Sequence, residues 1–363
     1  MRVLTVNAGS SSVKLRLLND GTIEQRADLA AGVDGFNTGE LAGLIQSWAL
    51  PDAVGHRIVH GGARFHGPTV VTSAVRQQLE ELTDLAPLHQ PKSLAALDAV
   101  SAAMPDVVAV ASFDTAFHST LSAAAATYAL PRMWRERYAI RRYGFHGLSH
   151  AYSSRRAAEM TDRADTTLRV VTCHLGAGAS LAAVVGGRSV DTTMGFTPLD
   201  GLVMATRSGS VDPGLILWLE QHAKLSPDEI ATALEQESGL MALAGTGDMR
   251  RIEAAAEDGD PDAVLAIEVY IHRLVGSIGA MCVAAGGMDV LVFTGGVGEN
   301  SLMVRRRAAR RLKFLGVGID DSASDEADHD ISTADSTVRT LVIAAREDLQ
   351  LAIEAGVLVG RSH

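Results

Sequence analysis

Cysteine is nearly absent. Cys173 and Cys282 are the only two in 363 residues, and neither stands in a C-x-x-C or other metal-ligand spacing. A disulfide framework and a thiolate zinc site are excluded, and a reducing, cytoplasmic setting is expected. Lysine is scarce too: of 32 basic residues only Lys14, Lys92, Lys224 and Lys313 are lysines. Lys14 lies in a glycine/serine segment and so draws notice, beside the plainer reading of a surface lysine. Long apolar runs are missing. The opening MRVLTV breaks at Asn7, too early for a signal peptide, and no purely apolar stretch of ~18 residues follows, so no exported or membrane-spanning segment is expected. Basic charge is in deficit, 32 basic residues against 43 acidic ones giving −11, which excludes a surface built for nucleic acid or anionic lipid. Small anions held by a few local cations remain compatible. No G-x-S-x-G elbow or other nucleophile motif occurs, so acyl-enzyme chemistry is not expected.

What is present is the composition of a globular protein, 47% hydrophobic and 21% charged without a low-complexity block. The length suggests two domains or one duplicated unit. Arg2 to Asn7 and Val13 to Leu18 read as strands, with Asn19-Asp20-Gly21 a hairpin turn after the second. A similar string recurs at Arg169: RVLTVNAGSSSVKLRLLNDG against RVVTCHLGAGASLAAVVGGR, with Asn7 opposite His174 and Gly9 opposite Gly176. This is a domain-scale duplication, and two glycine bends could face one another across a cleft. Val107 to Phe113 reads as a strand ending in Asp114, and Ala74 to Leu85 as an amphipathic helix. The spacing of Val264, Ile267, Ile271, Leu274, Ile278 and Met281 predicts a long buried helix over Pro261 to Cys282. Val290 to Thr294 predicts a buried strand, which the turn Gly295 to Asn300 leads into a basic helix from Arg305 to Leu312. A strand over Arg339 to Ala344 and a helix from Asp348 follow, while the acidic run Asp320 to Asp335 reads as a solvated loop. Strand, glycine turn and helix in succession indicate an α/β architecture.

Several segments could carry chemistry. Asn7 to Lys14 (NAGSSSVK) offers backbone N–H groups, three hydroxyls, an amide and an ammonium, the groups a phosphoryl needs; taken alone it is equally an ordinary hairpin turn and no Walker loop. Arg57 in GHRIVHGG and Arg207 in MATRSGS sit among small or apolar neighbours, where a guanidinium suits bidentate anion binding or a structural ion pair. Asp114 and Glu347 stand at strand ends, where carboxylates reach a ligand or Mg²⁺, or else cap helices. Eight of the twelve histidines lie between His56 and His174. His56/His60 and His146/His150 have i, i+4 spacing, but no third zinc ligand is evident, and core hydrogen bonding explains most of them.

The strings NAGSSSVK, GHRIVHGG, LAPLH, FDTAFH, YGFHGLSH, HLGAG, MGFTPLDGL, TRSGSVDP and FTGGVGENS, in this order, resemble the acetate kinase family of the acetate and sugar kinase/Hsp70/actin superfamily, over almost the whole chain. The resemblance implies a duplicated RNase H-like (actin/Hsp70-type ATPase) fold, two lobes with a nucleotide cleft between them. It divides the chain into residues 1–118 plus 349–363 and residues 119–348. The implied reaction is reversible transfer of the ATP γ-phosphoryl to acetate, giving acetyl phosphate and ADP, with Mg²⁺ or Mn²⁺. A homodimer is implied as well, with no nucleic acid or membrane partner.

Residue by residue, the resemblance implies Arg57, Arg207, His146 and Asp114 as catalytic, and Asn7 and Glu347 at the metal. Ser10, Ser12 and Lys14 fall at the phosphates. His174, Gly176, Gly178, Asp248, Arg250, Gly295, Gly296, Gly298, Glu299 and Asn300 fall on the nucleotide side. A methyl-sized pocket of Val59, Leu88, Phe145 and Pro198 sets substrate size, and valine at 59 favours acetate over propionate by only ~1–3 kcal/mol per methylene. The chain departs from the family's HLGNGSS at Ala177 and Ala179, which removes side-chain polar contacts near the phosphate, and Arg346 replaces the usual asparagine before Glu347. Alternatives are a propionate or mixed short-chain acyl kinase, and a non-catalytic ATP-binding member of the superfamily. The paired arginines and the methyl pocket speak against the latter.

Overall fold

The computed structural model describes residues 1–9, 12–32, 35–87, 89–163, 166–320, 322 and 328–360. Ser10 and Leu88, both named above, lie outside them. The chain divides into two compact units, one of Met1–Ser119, Phe145–Tyr152 and Arg346–His363, the other of Thr120–Gly144 and Ser153–Ala345.

In the first unit, β1 (Arg2–Ala8), β2 (Ser12–Asn19) and β3 (Thr22–Ala30) form an antiparallel meander, and β4 (Ala53–Ile58), β5 (Thr69–Val70) and β6 (Val108–Phe113) complete a sheet of order β3-β2-β1-β4-β6-β5. Asp20 (φ 46°) and Gly21 (φ 80°) supply the two positive φ values that a tight two-residue turn between β2 and β3 demands. β1, β4 and β6 run parallel, with Val6 beside His56 and His56 beside Ala111. One sheet face packs Leu4, Val6, Leu15 and Leu17 against Leu41, Ile45, Ala96 and Val100 from the helices Thr38–Gln46 and Gln90–Ala103. The other face packs Val3, Ala53 and Val110 against Ala355 of the helix Glu347–Gly360. That helix comes so close that a Cβ on Gly55 would lie 3.1 Å from the Leu351 carbonyl oxygen. Glycine at 55 is what lets the helix, and Glu347 at its start, lie on the sheet.

The second unit repeats this plan. Its strands are β7 (Arg169–Leu175), β8 (Ala179–Val185), β9 (Arg188–Thr192), β10 (Val290–Thr294), β11 (His329–Asp330) and β12 (Arg339–Val342), in the order β9-β8-β7-β10-β12-β11. β7, β10 and β12 are parallel and their flanking partners antiparallel, as β1, β4 and β6 are in the first unit. β10 is buried along its whole length, as a central parallel strand covered on both faces must be. Asp260 caps the helix Pro261–Ala284 through a 2.8 Å bond from the Ala263 N–H. This helix is long and apolar enough by composition to cross a membrane, but it packs on β8 and on the helices Gly239–Ala244, Met249–Glu257 and Leu302–Leu312.

Three local readings need correction. Gly295–Asn300 is itself a helical turn, and the next helix, Leu302–Leu312, begins only after the Ser301 hydroxyl caps Val304 N–H at 3.0 Å. Ala74 to Leu85 is a helix over Ser73–Glu80 followed by a 3₁₀ turn at Thr83–Leu85. Within the acidic run, His329–Asp330 pairs with β12 and Ile331 is buried, so this part belongs to the sheet.

Candidate active site

The first unit gathers its charges at the carboxyl ends of its parallel strands, where open α/β sheets bind ligands. Asn7 lies in β1 next to Val6, Arg57 in β4 next to His56, and Asp114 directly follows β6. The Arg57 guanidinium donates to Asp114 from Nε (3.0 Å to Oδ1) and Nη2 (2.6 Å to Oδ2), and its Nη1 donates to Asn7 Oδ1 at 3.0 Å. The Asn7 amide nitrogen in turn donates to Glu347 Oε2 at 2.7 Å. One hydrogen-bonded chain therefore joins Asp114, Arg57, Asn7 and Glu347. Burial works against the Arg57 charge, but Asp114 and then Glu347 outweigh it and hold the guanidinium protonated. At Asp114 burial wins: it lifts the carboxyl above its ordinary range against the pull of Arg57.

Phe145–Tyr152 also belongs to this unit. Gly147 N–H donates to the Asp114 carbonyl at 2.9 Å, and His118 Nε2 meets the Phe145 carbonyl at 3.1 Å, so two backbone contacts fix this segment. His146 between them is held at φ 56°, a conformation that costs a non-glycine residue of order 1–3 kcal/mol and persists only where the surroundings impose it. Phe145 and Val59 are buried. Lys14, opposite Asn7 in the β1–β2 pairing, is exposed, and the Ser12 carbonyl accepts from Gly9 N–H at 2.8 Å.

In the second unit the same strand ends carry less charge. Duplicate register places His174 where the first unit has Asn7, and Thr294 beside it in β10 where the first has Arg57. The corresponding place after β12 falls on Ala345 instead of an aspartate. Gly295 follows at φ 79°, and a Cβ there would lie 2.8 Å from the Leu175 carbonyl oxygen, so only glycine fits. Glu299 Oε1 accepts both Gly295 N–H and Ala345 N–H at 2.9 Å, which commits that carboxylate to tying the β10 and β12 ends together. Asn300 donates to the Gly296 carbonyl at 2.8 Å, and Gly298 is buried. Gly176 N–H donates to the Gly178 carbonyl at 3.0 Å, closing the second hairpin bend. Asp248 caps the helix Met249–Glu257 and holds Arg250 through two bonds of 3.0 and 2.8 Å on the surface.

Arg207 also lies in this unit. Its Nη1 donates to the Pro198 carbonyl at 3.3 Å, and it pairs with no carboxylate among the described residues. Burial lowers its pKa against a small opposing pull from Glu235. Two residues that sequence reasoning did not single out hold the loop around it. Arg142 donates to the carbonyls of Thr192, Thr193 and Met194, and the Tyr128 hydroxyl accepts from Phe196 N–H at 3.0 Å. Arg142 sits at the start of the polar, glycine-rich RRYGFHGLSH segment, which was the available signal. Tyr128 had none.

Two sheets with one strand order, each with its functional side chains at the carboxyl ends of its parallel strands, define a duplicated RNase H-like fold of the kind found in the sugar kinase/Hsp70/actin superfamily. A ROK family protein from Streptococcus pneumoniae shares the fold alone, at a TM-score of 0.50 and 12% identity over 100% of both chains. Residues 36–353 match the model of the acetokinase family. An acetate kinase of Clavibacter sepedonicus is 43% identical over 99% of both sequences. The crystal structure of Porphyromonas gingivalis acetate kinase superimposes with a TM-score of 0.90 at 34% identity, covering 99% of each chain. That of a propionate kinase from Francisella tularensis does so at 0.90 and 33%, covering 98% of this chain and 99% of that one. The chain belongs to the acetokinase family.

Proposed function

We propose that the chain transfers the γ-phosphoryl of ATP to acetate, reversibly, giving acetyl phosphate and ADP. The carrying observation is the hydrogen-bonded Asp114–Arg57–Asn7–Glu347 chain, buried at Asp114 and half-buried elsewhere, at the carboxyl ends of β1, β4 and β6. Acetate has a pKa of about 4–5 and is ionised at neutral pH, so the acceptor needs no general base. What it needs is cancellation of charge between two anions, which positioned cations supply in a phosphoryl transfer. One acetate oxygen forms a bond to the γ-phosphorus as the bond from that phosphorus to the ADP oxygen breaks, and no proton is gained or lost.

Arg57 is the first cation. Asp114 fixes its orientation and leaves it charged, and the guanidinium orients the acyl carboxylate. Arg207, half-buried and without a carboxylate partner among the described residues, is suited to the transferring phosphoryl. His146, held at a strained backbone position, donates to the same group. Val59 and Phe145, both buried in the first unit, give an apolar wall for the methyl. The strand-end backbone of the second unit, His174, Gly176, Gly178 and Gly295 to Asn300, takes the nucleotide, together with Asp248 and Arg250.

Asn7 and Glu347 offer hard oxygen donors of the type Mg²⁺ prefers, and few enough to leave places for water and phosphate, so the donor set fits. When bound, the ion would neutralise phosphate charge. We further infer a homodimer. The helix Pro213–Gln221 buries none of its residues while exposing Leu215, Leu217 and Trp218 by about half, a patch that a second copy would cover. A cytoplasmic setting accords with two unpaired cysteines.

Propionate is the second reading, favoured by the likeness to a propionate kinase structure; Val59 argues that acetate is preferred. The test is to supply ATP, Mg²⁺ and acetate, propionate or butyrate in turn, and trap acyl phosphate with hydroxylamine. Hydroxamate in the order acetate, propionate, butyrate supports the reading. Propionate first would shift it to the second, and no product in protein that still binds ATP would overturn both.

A further inference from the structure

Arg57 and Arg207 are held in unlike ways. Asp114 grips Arg57 through both carboxylate oxygens, which orients the guanidinium but also sets an anion against its charge. Arg207 has no carboxylate partner among the described residues; its Nη1 donates to the Pro198 carbonyl at 3.3 Å and meets Met204 Sδ at 3.8 Å. A carbonyl dipole orients a guanidinium without cancelling its charge, and holds it less firmly than a carboxylate does. The direction of Arg207 is therefore only as definite as the backbone that carries Pro198.

That backbone is gripped residue by residue. Arg142 Nη1 donates to the carbonyls of Thr192, Thr193 and Met194 at 3.1, 3.1 and 2.8 Å. The N–H groups of Tyr143 and Gly144 donate to the next carbonyl, that of Gly195, at 3.0 and 3.2 Å. The Tyr128 hydroxyl accepts from Phe196 N–H at 3.0 Å, and the Tyr128 ring faces the Arg142 guanidinium at 5.7 Å. Glycine is required at 195, because a Cβ there would run into the Tyr128 hydroxyl and the Asp200 carboxylate. Arg142 also reaches Asp200 at 3.5 Å, and the other oxygen of Asp200 accepts from the Ser210 hydroxyl at 2.5 Å. Ser210 N–H donates back to the Gly201 carbonyl at 3.0 Å. Arg207 thus stands between two tied ends of one loop, three residues before Ser210. Every residue of this bracket belongs to the second unit.

We propose, resting on the phosphoryl transfer to acetate set out above, that Arg142 and Tyr128 are positioning residues for Arg207. They touch no reacting atom. They fix the loop whose Pro198 carbonyl aims the Arg207 cation, so that its charge stays available to the transferring group. A misplacement of about 1 Å in such a group costs up to about 10²-fold in rate.

The test is a double-mutant cycle on kcat for acetyl phosphate formation by the whole protein, with ADP affinity and melting temperature measured beside it. Arg142→Met should lower kcat by about 10²-fold and Tyr128→Phe by about tenfold, with ADP affinity within about threefold of wild type. In an Arg207→Ala background the same substitutions should lower kcat by less than about threefold, since the cation they aim is gone. Tyr128→Phe, which removes one oxygen atom, carries the cycle if Arg142→Met does not fold. Losses that multiply with that of Arg207→Ala overturn the proposal, as does full kcat in either folded variant. A parallel loss of ADP affinity also overturns it, because a merely structural role would weaken both. A wild type that forms no acetyl phosphate would fail the acetate reading and this one with it, whereas an active wild type with multiplying losses fails this one alone.

Discussion

The two units share one sheet order and one strand polarity, yet they place opposite chemistry at matching positions. At the carboxyl ends of β1, β4 and β6 stand an amide, a guanidinium and a carboxylate, joined to Glu347 by hydrogen bonds. At the ends of β7, β10 and β12 stand His174, Thr294 and Ala345, with glycine bends and a glutamate spent on two backbone N–H groups. Duplication supplied the frame twice, with different side chains at the matching strand ends. Charge at the first set of strand ends suits anions that react, and backbone at the second suits a nucleotide that is held.

The two arginines sharpen this contrast, because they sit in different electrostatic settings. We predict that Arg57→Ala and Arg207→Ala each lower kcat by about 10²–10³ or more. Their stabilities should part. Arg57→Ala leaves Asp114 buried beside Glu347 without its partner and should cost about 3–5 kcal/mol in denaturant unfolding, whereas Arg207→Ala removes a charge that has no carboxylate partner among the described residues and should unfold near wild type. Equal destabilisation by the two would remove the distinction drawn between them.

His146→Ala should lower kcat by about 10² while changing the acetate KM less, as expected of a donor that acts on the transferring group. A larger change in KM than in kcat would assign His146 to ground-state binding instead.

The histidines of the first unit give a pH dependence. Burial pushes His56 and His60 down to about 4. Between about 6.5 and about 4 the unfolded chain therefore takes up protons that the folded chain does not, and stability falls as pH drops through that window. Both ring nitrogens of His56 lack a hydrogen-bond partner among the described residues. His56→Phe should therefore flatten part of the decline between pH 7 and 5, measured by denaturant midpoints; an unchanged slope would exclude His56 as a source. The smallest effect concerns the second unit: Ala177→Asn, which restores the amide usual in the family at an exposed bend, should lower the ATP KM by a few-fold at most. A change in acetate KM instead would contradict the division of labour.

Much of this arrangement was legible in the residues. The β-branched runs of β1 and β10, the alternating Val13, Leu15 and Leu17 of β2 and the helical spacing over Pro261 to Cys282 predicted their elements, and the repeat at Arg169 predicted two equivalent halves. β3 escaped because its residues are mostly polar and exposed, so it carries no alternation, and it is held by register with β2. His329–Asp330 escaped because a two-residue strand in an acidic run has no local signal and is defined by pairing with β12. The resemblance named Asn7, Arg57, Asp114 and Glu347. Their linkage into one hydrogen-bonded chain depends on the parallel register of three strands and on Gly55 admitting the last helix, which are properties of tertiary structure. The return of Phe145–Tyr152 to the first unit likewise has no marker in the sequence.

The division between reacting and holding ends is tested most directly by measuring ADP binding calorimetrically in wild type and in Arg57→Ala, beside acetyl phosphate formation by both. The account predicts that ADP affinity stays within about threefold while product formation falls by two orders of magnitude or more. Loss of ADP binding in parallel with turnover, in a variant that remains folded, would contradict it.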